Sequence, residues 1–150
     1  MAVAYSERAR GLVGRAQDEA RRLQAEQVDV EHLLLALVRE GKGVGVRVLR
    51  NLGVDLDRLV GEVERTLGHG TASPAGPLPF TPRLRSVMLE WAAAEAHALG
   101  HAKVGTEHLL LGMLREGTAA GILEAHGVDL RHARLESVRL LDPSQPPAPG

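Results

Sequence analysis

The chain contains no cysteine and only three aromatic residues among its 150 residues. The lack of cysteine excludes disulfides and metal sites built on thiolates. Tyr5, Phe80 and Trp91 are too few to form the stacking platforms on which proteins bind single-stranded nucleic acids. The core must therefore be built from leucine, valine and alanine, which favours packed helices.

The sequence also lacks an excess of charge and a long apolar run. It carries 18 basic and 19 acidic residues, a net charge of −1, which does not favour a nucleic-acid-binding protein or a polybasic membrane anchor. No apolar run approaches the roughly 20 residues that span a bilayer, and the first residues do not have the pattern of a signal peptide. We therefore expect a cytoplasmic protein with no nucleic-acid or membrane partner.

Helix start and stop signals alternate through the first half of the chain. Side chains suited to N-capping stand before three apolar segments, at Ser6, Asp29 and Asp55. Glycines at which helices commonly end stand at Gly41, Gly53 and Gly68. With the apolar spacing between them, these signals predict helices over 7–23, 30–40, 44–52 and 56–67.

The second half begins after a segment rich in proline and glycine. Residues 69–79, HGTASPAGPLP, are predicted to be a linker. Thr81 followed by Pro82 is a strong start signal for a helix that reaches Leu99. Further helices are predicted over 107–116 with Thr106 as its cap, over 119–126, and from Asp129 to Leu141. The proline-rich tail, 143–150, is predicted to be disordered.

The two halves form an internal repeat. Residues 31–41 and 107–117 are identical at eight of eleven positions, and GVDL occurs at both 53–56 and 127–130. The first copy spans 5–68 and the second 80–141, within a domain of 1–142. The offset changes from 75 to 76 to 74 along the chain, which indicates small insertions and deletions. We assign one extra residue to 86–96 and a third helix shortened by two residues to the second copy.

The repeated blocks resemble the N-terminal repeat domain of Clp AAA+ unfoldases, in particular the ClpC branch. They read YSERARGLVGRAQDEARRL, VEHLLLALVREG and GVDL in the first copy, and FTPRLR, VGTEHLLLGMLREG and GVDL in the second. The resemblance implies an all-α fold, with two tandem four-helix repeats forming a pseudo-twofold eight-helix bundle. In that family the domain lies on the ATPase ring and receives substrates and adaptors, and the ClpC branch also recognises phosphoarginine.

The resemblance implies two binding sites, one at the start of each VEH or TEH helix. It assigns Glu31 and Glu107 to the ligand's guanidinium group, while free N–H groups of the first helical turn suit its phosphoryl group. The flanking candidates are His32, Thr106, His108, Arg8 and Arg83. Alternatively, a first-turn glutamate stabilises its helix alone, by about 0.3–1 kcal/mol, and the histidines are structural. The first copy has valine where the second has Thr106, which makes Glu107 the stronger candidate.

Tyr5 and Phe80 each precede a helix cap by one residue, the position of a hydrophobic staple. The resemblance to actinobacterial relatives implies a second role for them, as a surface that binds peptides or cyclic-peptide antibiotics. Gly100 should end the helix between His97 and His101, so no histidine pair has metal-ligand spacing, and we expect neither a metal nor a cofactor.

Three functions remain open from the sequence. The chain is a binding module for Clp substrates, adaptors or phosphoarginine proteins, a decoy that sequesters cyclic-peptide antibiotics, or a docking module for unfoldase or protease components. It lacks the G-x-x-x-x-G-K-[ST] motif and a nucleophile motif, so we expect no enzyme activity. We expect a monomer, either a stand-alone domain or a part of an unfoldase.

Overall fold

The computed structural model describes residues 3–73 and 75–141, and within them the regular secondary structure is entirely helical. The first half contains α1 (Glu7–Arg22), α2 (Val30–Glu40), α3 (Val44–Asn51) and α4 (Leu56–Leu67). The second half contains α5 (Pro82–Ser86), a π-helical turn (Val87–Trp91), α6 (Ala92–Ala98), α7 (Thr106–Met113), α8 (Gly117–Ala125) and α9 (Leu130–Leu141). The predicted disordered tail, 143–150, lies outside the described residues.

Each half has four helical segments, because α5, the π-helical turn and α6 form one continuous helix. This confirms the all-α, two-repeat prediction. None of the helices in the described ranges has both the length and the apolar character needed to cross a membrane.

Most predicted helix starts are confirmed by capping hydrogen bonds. The side chains of Ser6, Asp55 and Thr81 each accept a bond from a backbone N–H in the first helical turn, at 3.1–3.2 Å. Asp29 accepts from the N–H of Val30 at 2.8 Å, and Asp129 accepts from the N–H of His132 at 2.8 Å. Each bond satisfies a donor that the helix itself cannot pair.

Two details of the second copy differ from prediction. Thr106 is the first residue of α7 and not its cap, because its hydroxyl points across the molecule and accepts a hydrogen bond from the N–H of Gly45 at 2.9 Å. The third helix of the second copy is not shortened, since α8 has 9 residues and α3 has 8. Instead α7 ends at Met113, whereas α2 continues to Glu40, the counterpart of Glu116. Glu116 takes over as the cap of α8 by accepting a bond from the N–H of Ala119 at 2.8 Å.

The two repeats interlock around one core. Within the repeats α1 packs on α2 and α6 on α7, while across them α3 packs on α7 and α9, and α4 packs on α8. The largest fully buried side chains come from both copies and are almost all leucine, as the shortage of aromatics requires: Leu12, Leu33, Leu34, Leu35, Leu37, Leu49, Leu59, Leu84, Leu109, Leu110, Leu111 and Met113.

Two short backbone pairings tie the start of each repeat to the other repeat. The N–H of Ser6 donates to the carbonyl of Val104 at 2.9 Å, and the N–H of Val104 donates to the carbonyl of Ala4 at 2.8 Å. The equivalent bonds run from Val28 to the carbonyl of Pro79 at 2.9 Å and from Thr81 to the carbonyl of Val28 at 3.0 Å. The segment before α1 therefore lies beside the segment before α7, and the segment before α5 beside the one before α2.

The π-helical turn absorbs the extra residue of the second copy. Leu12 and Ala16 are buried four residues apart on α1, whereas their counterparts Val87 and Ala92 are buried five residues apart. A π-helical turn inserts one residue into a helix while keeping both flanking segments in register. The turn lies close to Gly112 of α7, where an added Cβ would be 3.0 Å from the backbone nitrogen of Ala92 and 3.2 Å from the carbonyl oxygen of Val87.

We predict that Gly112→Ala destabilises the protein, although alanine is normally the better helix former by about 0.5–1 kcal/mol. The added methyl group meets backbone atoms that cannot rotate away, and such overpacking costs about 1–3 kcal/mol. Gly121→Ala in α8 is the matched control, because a Cβ there has no atom within 4 Å and should be neutral or stabilising. Urea unfolding of both variants tests this, and equal stability of the two would contradict the packing of α7 on the π-helical turn.

Candidate functional site

The predicted site of the second copy lies beside a cavity of about 670 Å³ at the start of α7. Its walls come from both repeats, because the backbone pairing of Ser6 with Val104 places the start of α1 next to the start of α7. The cavity is lined by Ser6, Arg8, Gly43, Val44, Gly100, His101, Ala102, Lys103, Gly105, Thr106, Glu107, His108 and Leu141. Of the predicted residues, Arg8, Thr106, Glu107 and His108 are brought together here.

Glu107 is a buried carboxylate at this cavity, only 6% exposed. Burial raises its pKa, while a hydrogen bond from its own backbone N–H acts in the opposite direction. Within residues 3–73 and 75–141, no arginine or lysine forms an ion pair with it. Its carboxylate packs over Gly105, and a Cβ at that position would overlap its Oε1 atom. The site thus presents a desolvated acceptor without a cationic partner.

His108 is a capping residue of α7. Its Nδ1 accepts a hydrogen bond from the N–H of Gly105 at 2.8 Å. In the neutral ring Nε2 therefore carries the proton, and this N–H donates a hydrogen bond to Nδ1 of His101 at 2.8 Å. Potential ligand atoms of His101, Glu107 and His108 lie within 4.8 Å of one another. However, the hydrogen bond from Gly105 leaves His108 without a free lone pair for a metal. The expected absence of a metal stays a prediction.

The other two predicted residues at the cavity already have intramolecular partners. The Thr106 hydroxyl accepts the N–H of Gly45, which ties α7 to α3. The Arg8 side chain is 47% exposed and its Nη1 donates to Glu40 at 3.0 Å. Arg8 thus faces the cavity from the opposite repeat while its charge is shared with a carboxylate outside the lining.

The predicted site of the first copy is occupied by Arg83. Its Nη2 lies 2.7 Å from Asp29 and 3.4 Å from both carboxylate oxygens of Glu31, and its Nη1 lies 2.8 Å from Glu116. Burial works to raise the pKa of Asp29, but hydrogen bonds led by the one from Arg83 outweigh it and lower the pKa. Burial raises the pKa of Glu31, which is 2% exposed.

His32 repeats the capping role of His108. Its Nδ1 accepts the N–H of Asp29 at 2.9 Å, and burial lowers its pKa. Among the described residues its buried Nε2 has no hydrogen-bond partner, because the position that corresponds to His101 is Ala25. Both histidines therefore cap their helices, and a role for either in ligand binding stays a prediction.

Tyr5 and Phe80 lie in separate grooves on one face of the bundle. Tyr5 lines a groove with Val3, Ala4, Arg10, Val13, Met88, Leu89 and Lys103, and Phe80 lines another with Gln17, Leu78, Pro79 and Arg85. Val13 and Gln17 are one turn apart on α1, so the grooves adjoin. The staple prediction lacks its apolar partner, since the fourth helical residue is arginine in both copies. The chain entry is held by the backbone pairings instead.

The sequence did not identify four residues of the two sites as candidates for binding the peptide ligand: Asp29, His101, Lys103 and Glu116. Lys103 and His101 precede α7 in a loop whose first-copy counterpart has neither residue, so the comparison of repeats gave no signal. Asp29 was assigned only as a cap, and Glu116 was not assigned. The signal for Asp29 was nonetheless present, because it replaces the glycine found at position 105 of the second copy.

The sequence and the fold of the chain are similar to those of known Clp proteins. The family described as the Clp repeat (R) N-terminal domain matches residues 4–90 and again 79–147. The chain is 45% identical over 139 residues to an ATP-dependent Clp protease ATP-binding subunit ClpA homolog of Guillardia theta, covering 91% of this chain and 17% of that protein. It is 42% identical over 142 residues to the chloroplastic chaperone protein ClpC1 of Oryza sativa subsp. japonica, covering 93% of this chain and 15% of that protein.

A solved complex of a ClpV N-domain with a VipB peptide shares the fold. Its TM-score is 0.74 at 16% identity, and the superposition covers 91% of this chain and 85% of that one. The chain thus spans less than a fifth of the two Clp relatives but most of this isolated domain.

We predict that His108 makes the stability of the fold depend on pH. Burial, followed by the neighbouring His101, lowers the pKa of His108 to about 4 from 6.5. The unfolded chain therefore binds this proton at a higher pH than the folded chain does. The stabilisation that comes from burying neutral His108 is fully present above pH 6.5, and the free energy of unfolding falls progressively as the pH drops towards 4.

His108→Gln should keep the cap, since glutamine also accepts the N-cap N–H, but it removes the titration. Urea unfolding at several pH values should therefore show the wild type losing more stability than the variant on acidification. His69→Gln, at an exposed position before α5, is the control for loss of a histidine elsewhere. A difference between wild type and His108→Gln that does not change with pH would refute the burial of a neutral His108.

Proposed function

Because the chain belongs to the Clp repeat (R) N-terminal domain family, we propose that it is a non-enzymatic module that captures protein segments carrying phosphoarginine, through the second-copy site. The family matches confirm the resemblance seen in the sequence. The unfoldase activity of the longer relatives is not carried over, since the chain spans 15–17% of their length.

The observation that carries the proposal is the state of Glu107. Its carboxylate is buried beside the cavity, and within the described ranges no arginine or lysine forms an ion pair with it. A guanidinium group is planar and carries several N–H donors, so it pairs with a carboxylate by two parallel hydrogen bonds. A ligand with such a group would supply the cation that the protein does not. The low exposure of Glu107 would strengthen this pairing relative to one in water.

The phosphoryl group of the ligand would lie on the cationic side of the same cavity. Arg8 and Lys103 line it from the start of α1 and from the loop before α7. The helix N-terminus supplies less than the sequence analysis assumed, because the N–H of Gly105 is bonded to His108 and that of Glu107 to its own carboxylate. We therefore assign the phosphoryl group mainly to the two side chains, which neutralise its charge.

The expected partner is a protein segment and not a free metabolite. The ClpV N-domain of the same fold was solved with a VipB peptide, which supports peptide capture by this scaffold. The cavity is open enough to admit a side chain from outside, and its rim is shared between the two repeats. We propose that substrates or adaptors of a cytoplasmic Clp system are the source of the peptide, and that one monomer of this domain binds it.

We predict that Glu107→Gln weakens binding of a phosphoarginine peptide by about 10-fold to 100-fold. The substitution keeps the shape but removes the charge, and a hydrogen bond to a charged group contributes about 1.5–3 kcal/mol. Isothermal titration calorimetry on the full chain measures the change. Glu124→Gln, an exposed glutamate on α8 outside the cavity, is the matched control and should bind like the wild type.

The same titration with an unphosphorylated arginine peptide tests the phosphoryl contacts. We expect much weaker binding, because Arg8 and Lys103 would then face an uncompensated cation. The phosphoarginine proposal fails if the wild type does not bind the peptide, or if Glu107→Gln binds it as tightly as the wild type does.

A second candidate function rests on the groove at Tyr5. Its walls are largely apolar, and Leu89, at its edge in the π-helical turn, is 54% exposed. The Tyr5 hydroxyl is held by donation to the carbonyl of Met88 at 2.6 Å, and burial raises its pKa to about 12. A rigid apolar wall with fixed polar atoms suits a cyclic peptide, so this groove supports the decoy function.

We predict that Leu89→Ser weakens binding of an apolar cyclic peptide without destabilising the fold, because Leu89 is largely exposed. Leu135→Ser on α9 is the control, since Leu135 is 61% exposed and does not line the groove. A thermal-shift titration measures binding through ligand stabilisation. Equal responses of the two variants, or no shift of the wild type at high peptide concentration, would remove the decoy function.

A further inference from the structure

The two repeat-related sites use the same scaffold but differ in one charge. Position 29 in the first copy is aspartate and its counterpart at 105 is glycine. The arginine that reaches each site comes from the other repeat, Arg83 for the first and Arg8 for the second. Each arginine also contacts the glutamate of the REG sequence that occurs in both copies, at 2.8 Å for Arg83 with Glu116 and at 3.0 Å for Arg8 with Glu40.

Asp29 draws Arg83 into the first site. Its carboxylate lies 2.7 Å from Nη2 of Arg83 and also accepts the Thr81 hydroxyl at 2.8 Å, so it is held from two sides. The guanidinium then lies 3.4 Å from Glu31, the residue that corresponds to Glu107. Glu31 is therefore paired with a guanidinium group before a ligand arrives.

Gly105 leaves the second site open. With no carboxylate at this position, Arg8 remains on Glu40, and Glu107 keeps its place over the glycine backbone. A side chain at 105 would force the Glu107 carboxylate to move, because its Oε1 lies where the Cβ would be. The glycine is required here for space and not for backbone conformation, since its φ is −99°.

We propose that Arg83 is an internal ligand of the first site, held there by Asp29, so that the domain binds one phosphoarginine at a time, through Glu107. Residue 29 then determines which copies of the site are available. A ligand guanidinium entering the first site would have to displace Arg83 from three carboxylates. Glu116, whose side chain is only 7% exposed, would then lose its cationic partner, which is unfavourable for a buried charge. The inference rests on the proposed function, because it uses the same ligand class.

Calorimetric titration of the full chain with a phosphoarginine peptide tests the inference by stoichiometry. We expect one site in the wild type, loss of that site in Glu107→Gln, and two sites in Asp29→Gly. Asp29→Gly combined with Glu107→Gln should bind one peptide, through Glu31. Gly105→Asp is the reciprocal variant and should lose the second site. Asp29→Asn keeps a capping side chain while removing the charge, and it replaces Asp29→Gly if that variant does not fold.

The outcomes separate the two proposals. The internal-ligand inference alone is overturned if the wild type binds two peptides. It is also overturned alone if the wild type and both Asp29 variants each bind one peptide through Glu107. No binding by the wild type together with one site in Asp29→Gly supports the inference and overturns the assignment of Glu107. No binding by any of the proteins overturns both, and so does a single wild-type site that is lost in Glu31→Gln but kept in Glu107→Gln.

Discussion

The backbone pairing between the repeats is the constraint on which both sites depend. Ser6 and Val104 form one pairing and Val28 and Thr81 the other, and each joins the residues before one helix to the residues before a helix of the opposite copy. Arg8 and Arg83 each follow by two residues the cap of the first helix in their repeat, Ser6 or Thr81. The pairings thereby place each arginine against the VEH or TEH segment of the other repeat. Neither site is complete within a single repeat, because each takes its arginine from the other copy.

The same interlocking explains how the second copy tolerates an extra residue. The backbone pairings at Thr81 and Val104 hold the chain before and after this helical segment, so the extra residue must be taken up between them. A π-helical turn does this without moving either end. Its wider backbone needs room on α7, and the copy that contains the turn has Gly112 where the other has buried Ala36. An insertion in one helix and a smaller residue in its neighbour are thus one structural change.

The sequence was sufficient for the features that depend on local chemistry. Caps such as Ser6 and Asp55 and terminating glycines such as Gly41 predicted helix limits, because each satisfies backbone groups within its own turn. The extra residue was visible as a difference in length, but where it is absorbed depends on packing. The pairing of Arg83 with Asp29 was not predictable, since 54 residues separate them and only the crossed pairing of the repeats brings them together.

The charges of the first site show why pseudo-symmetry of the backbone does not imply equal sites. Arg83 is paired with Asp29, Glu31 and Glu116, whose side chains are 24%, 3% and 7% exposed, so this cluster already supplies a guanidinium group to all three carboxylates. A ligand guanidinium offers the same interactions and so gains little by replacing it. At Glu107 the equivalent carboxylate is desolvated without such a partner, and a bound guanidinium would recover part of that cost. In our proposal the second copy is therefore the one whose carboxylate is available to a ligand.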